Sequence, residues 1–275
     1  MSTRKRWSRR ALVASLVVGA TIVVSATALA GSQANPYHLK KAGTLEVGMN
    51  LQYKPEMYLN AAGKPAGYDV VLLRALAKKM NVKLKIDNLD FNGLIPGLVS
   101  KRFDMVSVGL TATAERKKSV TFSRPYVPYA QIMAVRVGDT TPATTSAWNS
   151  SSKTITSLQG STAEQLVLKT FPNATSHSFP DQNAAFLEVA TGRADAIVVE
   201  NYLLAQFNKS NPGKLKQEGF AKPLHVEYGS WAVQKGNTAL AKRLSAFICT
   251  SQNNGTLARF YKATEGAALP PMPHC

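Results

Sequence analysis

The run Asp104-Met105-Val106-Ser107-Val108 alternates like a half-buried strand, stops at Gly109 and gives way to a short polar helix, Ala114-Glu115-Arg116-Lys117-Lys118. Glycine accepts backbone angles that other residues resist and lets a ligand come close. Thr113 is placed to cap the helix. A strand that runs into a helix N-terminus leaves free N–H groups and a positive dipole end at one spot. With the Thr111 hydroxyl beside it and the planar fork of Arg116 within reach, that spot has the makings of a carboxylate receptor. The competing reading is a solvated surface arginine, since Arg116 opens the basic run Arg116-Lys117-Lys118. The segment by itself leaves both open.

The chain has 275 residues, enough for a sizeable core and one or two domains, with 45% hydrophobic and 18% charged residues. Nothing in it reads as disordered or repetitive. The net charge is +17. Arg4, Lys5, Arg6, Arg9 and Arg10 supply part of it, and without them 28 basic side chains face 16 acidic ones, a net of +12. The remaining positive charges are scattered in pairs such as Lys40-Lys41 and Lys78-Lys79. With no long basic tract and no aromatic-studded motif, no nucleic-acid partner is expected. His38, His177, His225 and His274 are scattered and form no metal pattern, and no cofactor is expected. Cys249 and Cys275 are consistent with a bridge pinning the C-terminal tail, which is the expectation; the alternative is two free thiols.

Residues 1–30 read as an export signal: a basic start to Arg10, an apolar stretch from Ala11 to about Ala26, and the small-x-small motif Ala28-Leu29-Ala30. Cleavage after Ala30 is expected, an uncleaved anchor being the alternative. Ser8-Arg9-Arg10 leaves twin-arginine export open beside the general route. Residues 31–43 read as a loose leader. Leu45 to Met49 and Lys83 to Ile86 alternate as strands, and a helix opens at Tyr68-Asp69 with Leu72, Leu73, Leu76 and Met80 on its buried face. Asp69 in its first turn favours the helix dipole. Further strands are expected at 129–137, 154–158, 196–199 and 226–233, with helical stripes over 240–248 and 257–261.

The stretch Gly109-Leu-Thr-Ala-Thr-Ala-Glu-Arg116 through Phe122-Ser-Arg-Pro-Tyr126 resembles the family-3 solute-binding proteins of ABC transporters, the periplasmic polar amino-acid receptors. Weaker echoes extend from about Thr44 to Glu265, including Gly192-Arg-Ala-Asp-Ala196 and Gly160-Ser-Thr-Ala-Glu164. The resemblance implies an α/β chain of two lobes, the type II periplasmic binding fold, with two crossing hinge strands. Lobe one would take 44–132 plus 228–275 and lobe two 133–227, with hinges near 132–135 and 227–229. It also implies a site. Arg116, Thr111 and the Gly109 backbone would hold the ligand carboxylate, joined from the other lobe by Ser161 and Thr162, and Val108 would also line the ligand site. Glu200, at the C-terminal end of an apolar strand, would hold the α-ammonium. Tyr53 and Phe91 would sandwich the side chain, and Asn50 would contact it. Several relatives carry Asp at the position of Asn50, and some place a polar selector where Leu158 stands, so both residues point away from strongly cationic ligands.

The function implied is capture of an L-amino acid in the periplasm by a monomer, and delivery to an inner-membrane ABC permease. The alternative on the same scaffold is a cyclohexadienyl dehydratase-like enzyme. Its mark would be a pocket acid with a raised pKa.

Overall fold

The structure, a computed structural model, describes residues 35–275. The expected export signal therefore lies outside the described residues. No described helix is long and apolar enough to cross a membrane.

The described end of the leader is pinned rather than loose. Asn35 bonds the backbone of Leu39 in both directions at 2.8 Å, and Leu39 is buried in the core. The Lys40 N–H donates to Asp104 at 2.6 Å and the Asn237 amide donates to the Tyr37 carbonyl at 3.0 Å. Asp104 and Asn237 lie far along the chain from the segment they hold, so local composition does not show them.

From there the chain runs through β1 (Thr44–Met49), the small antiparallel strands β2 (Gln52–Tyr53), β3 (Met57–Leu59) and β4 (Pro65–Ala66), α1 (Tyr68–Met80) and β5 (Lys83–Asn88). A 3-10 turn at Phe91–Gly93 leads to α2 (Leu94–Val99), β6 (Met105–Thr111), α3 (Ala114–Ser119) and β7 (Val120–Arg136). Next come α4 (Thr145–Trp148), β8 (Thr154–Leu158), α5 (Thr162–Thr170), β9 (Thr175–Phe179), α6 (Gln182–Ala190), β10 (Ala196–Glu200) and α7 (Asn201–Ser210). The last elements are β11 (Leu215–Gln217), β12 (His225–Gln234), α8 (Thr238–Asn253) and α9 (Thr256–Glu265). The sequence does not announce the β2–β4 sheet, β9 or α7.

One large sheet has the order β5-β1-β6-β12-β7-β10-β8-β9. It holds two parallel blocks, β5-β1-β6 and β10-β8-β9, joined by the antiparallel pair β12 and β7. Two such blocks, joined in the sheet by two long crossing strands, make a two-part molecule with a crevice between the parts. The strand β7 is longer than its apolar stretch predicts because its first half pairs with β12 all the way from Val120.

Burial follows the strand period. In β10, Ile197 and Val199 enter the larger core with Leu158, Phe186 and Phe207, while Ala196 and Val198 enter a second core with Trp148, Val167 and Phe171. A strand covered on both faces needs apolar residues at every position, which is why Ala196 to Val199 shows no alternation. Cys249 and Cys275 are disulfide-bonded, with Cα atoms 5.6 Å apart, so the expected bridge is present.

Candidate functional site

The C-terminal ends of β6, β8 and β10 meet at one cavity of about 410 Å³, its mouth included. Crevices at strand C-termini are the usual ligand position in open α/β sheets. The cavity is lined by Tyr53, Phe91, Val108, Gly109, Thr111, Arg116, Ser161, Thr162 and Glu200. These residues come from segments spread over roughly half the chain, and folding brings them together.

Each is positioned by local chemistry. The Thr113 hydroxyl caps α3 by accepting from the Arg116 N–H at 3.2 Å. That fixes the first turn and turns the Arg116 side chain inward, where it is buried. Its guanidinium donates to the Thr111 carbonyl at 3.1 Å and to the Gly160 carbonyl at 2.9 Å, and lies 5.7 Å from the Phe91 ring. Among the described residues it has no ion-pair partner within 4 Å. Burial lowers its pKa to about 10, against the opposing pull of Glu227 and Glu200, so it stays charged at neutral pH. A guanidinium has five N–H donors, which leaves several for an incoming anion.

On the facing side, Ser161 caps α5 by accepting from the Glu164 N–H at 3.2 Å, while its own hydroxyl donates to the Leu158 carbonyl at 2.7 Å. Its side chain is therefore committed to the cap. Thr162 donates at 2.7 Å to Glu227. Glu200 accepts from the Gln131 amide at 3.0 Å. Burial first, and the Glu227 carboxylate second, push Glu200 up to about 7; Gln131 and Arg116 act the other way.

Two expected contacts look different in place. The Gly109 N–H is already donated to the Tyr126 hydroxyl at 3.0 Å, so it is not a free donor. Gly109 itself has φ +61°, and any Cβ there would overlap the Tyr129 hydroxyl, so only glycine fits. Asn50 does not line the cavity. Its amide donates to the Leu89 carbonyl at 2.7 Å and accepts from Gln52 at 2.5 Å, tying the loop after β1.

The sequence also misses residues that line the cavity: Leu110, Tyr129, Tyr202, Leu203 and Glu227. Tyr129 and Tyr202 pack with ring centroids 5.7 Å apart and form a wall beside Gly109. Leu158 lines the cavity too, as an apolar surface. Glu227 reads in sequence only as part of a crossing strand. The one signal that marks it is an acid between apolar residues, Val226-Glu227-Tyr228.

The site thus sets a buried guanidinium and two carboxylates between aromatic walls, none of the three with an ion-pair partner within 4 Å among the described residues. That arrangement receives a zwitterion.

Residues 45–264 match the family described as bacterial extracellular solute-binding proteins, family 3. The arginine-binding extracellular protein ArtP of Bacillus subtilis (strain 168) is 30% identical over 251 residues, covering 90% of this chain and 95% of its own. Among solved structures, an ancestral arginine-binding protein bound to arginine has a TM-score of 0.75 at 33% identity, covering 81% of this chain and 98% of its own. An ancestral amino-acid-binding protein, a precursor of cyclohexadienyl dehydratase, has a TM-score of 0.74 at 30% identity, covering 81% of this chain and 95% of its own.

Proposed function

Because the chain belongs to the family-3 bacterial extracellular solute-binding proteins, we propose that it closes two lobes around an L-amino acid and delivers it to an inner-membrane ABC permease. The fold is the two-lobed type II binding fold. In our reading lobe one takes 44–132 plus 228–275 and lobe two 133–227, with β7 and β12 as the hinge. The protein acts as an exported monomer in the periplasm and is not an enzyme.

The observation that carries this reading is the state of Arg116. It is a buried cation at a strand-to-helix turn, and among the described residues its guanidinium donates to two backbone carbonyls and has no ion-pair partner within 4 Å. A buried charge without a counter-ion is costly. A ligand carboxylate supplies that counter-ion, with Thr111 and Thr162 at its sides. The α-ammonium then meets Glu200, and the side chain lies among Tyr53, Phe91 and Leu158. Closure is favoured only by what the ligand adds in the closed form.

The pKa of about 7 at Glu200 is the mark expected of a catalytic acid. Here it has a cause that needs no catalysis: burial beside the Glu227 carboxylate. A bound ammonium would remove it. The competing dehydratase reading is met by including prephenate in the test.

The test is a thermal-shift screen of refolded, ligand-stripped protein against the common amino acids and prephenate. A ligand at a hundredfold its Kd adds about 2.7 kcal/mol of stability. The expected result is a clear shift with one or a few amino acids, lost in Arg116→Ala and Glu200→Ala. No shift with any amino acid, together with turnover of prephenate, would overturn the proposal.

A further inference from the structure

Strand β12 faces the reverse way to what burial alone selects. Val226 and Tyr228 are 51% and 37% exposed, while Glu227 between them is 4% exposed. Acids are seldom buried unless paired, and apolar side chains are the ones normally turned inward. Something must draw Glu227 into the cavity. Its Oε1 accepts from the Gln131 amide at 2.6 Å and from the Thr162 hydroxyl at 2.7 Å. Its Oε2 is buried with no partner, and so is the Gln131 Oε1. The same Gln131 amide also donates to Glu200, at 3.0 Å. One neutral amide therefore bridges two carboxylates, and among the described residues no Lys, Arg or His lies within ion-pair distance of either.

The charges of the cavity can be counted. Arg116 is positive; Glu200 and Glu227 are both acids. A neutral amino acid pairs its carboxylate with Arg116 and its ammonium with one acid. The other acid is then left in a closed site with neutral hydrogen-bond donors but no counter-charge, which is unfavourable in a poorly hydrated pocket. A ligand with a second positive charge completes the balance.

Resting on the amino-acid-capture reading, we infer that Glu227 selects for charge and that the ligand class is the cationic amino acids. This reverses the direction indicated by Asn50 and Leu158. Asn50 is spent on loop contacts outside the cavity, and the acid missing there is supplied from β12 instead.

The experiment is calorimetric titration of the ligand-stripped protein with two matched pairs: arginine against citrulline, and lysine against norleucine. Each pair keeps the chain and removes the side-chain charge. The expected result is at least tenfold tighter binding of the charged member. Glu227→Gln, which keeps an acceptor for Gln131 and Thr162, should narrow that ratio at least fivefold. Ratios near one in the wild type, or a ratio unchanged in Glu227→Gln while both affinities move together, would overturn the inference and leave amino-acid capture standing. If the wild type binds no amino acid, the capture reading fails and this inference with it. Should Glu227→Gln not fold, the wild-type ratios decide the matter alone.

Discussion

Glu200 and Arg116 are matched opposites, and the difference between them is in how each stays ready for a ligand. Arg116, lowered to about 10, is a cation throughout the neutral range. Glu200, raised to about 7, is not fully an anion there. Burial first and Glu227 from β12 second push it up; Gln131 from β7 and Arg116 from α3 act against that. Pairing with an ammonium requires the anion, so below pH 7 binding must expel a proton from Glu200. The sign follows directly. Affinity for an amino acid should fall as pH drops from 7 to 5, by up to about tenfold per unit for one proton. Titration calorimetry in buffers of different ionisation enthalpy would read the released proton. A Kd that is flat from pH 5 to 7 would mean that Glu200 does not change protonation on binding.

At the scale of elements, what was legible in the sequence is what chain-local patterning encodes. The turn from β6 through Gly109 into α3, the Ser161 cap of α5 and the end of β10 at Glu200 each lie within one short stretch, so strand period, glycine and cap residue announce them. Gln131 and Glu227 are different. They become neighbours because β7 pairs with β12 in a register that sets Glu227 opposite Tyr129 and His225 opposite Gln131. That makes Gln131 and Glu227 diagonal neighbours, and a slip of one residue would turn Glu227 to the other face. Register between strands some hundred residues apart is not written in either strand. The surroundings of Asp69 are hidden for the same reason. In the first turn of α1 it reads as an acid that favours the dipole, yet it is fully buried. Its Oδ2 accepts from Tyr126 at 2.6 Å and Ser107 at 2.7 Å, and Ser107 in turn accepts from the Trp231 indole at 2.8 Å. Four elements, α1, β6, β7 and β12, are thereby tied at one carboxyl beneath the Gly109 turn. Burial pushes Asp69 up to about 7, with the Tyr126 and Ser107 hydrogen bonds opposing. Between an ordinary value near 3.8 and 7 the folded protein holds this proton while the unfolded chain has released it, so this contribution to stability declines as pH rises. Asp69→Asn keeps an acceptor for both hydroxyls and removes the titration. Relative to wild type, the variant should gain up to about 4 kcal/mol between pH 4 and pH 8 in denaturant unfolding. Parallel stability curves for the two proteins would show that Asp69 does not titrate in this window.

For the whole molecule, the question is how firmly the two proposed lobes hold together without a ligand. Outside the cavity few polar contacts join them. The Asn92 amide donates to Gln159 at 3.2 Å and the Gln182 N–H donates to the Gln52 side chain at 3.2 Å. Arg116 reaches the Gly160 carbonyl from within. Every one of these groups can turn to water when the crevice opens, and a typical exchange of that kind is worth about 1 kcal/mol. Closure is therefore poised, and the ligand's charges decide it. The two kinds of contact should separate cleanly under mutation. Asn92 and its partner Gln159 both lie outside the cavity lining. Asn92→Ala should weaken binding of every ligand by the same factor, no more than about fivefold, which corresponds to about 1 kcal/mol. It acts on the closed population alone, and a closed form populated less often lowers all apparent affinities alike. A substitution in the charge set, by contrast, should reorder the ligands. Titrating Asn92→Ala with the same matched charged and neutral pairs distinguishes these effects. A change in the ratio within a pair would mean that Asn92 senses the ligand and that the contact is part of the site rather than of the closure.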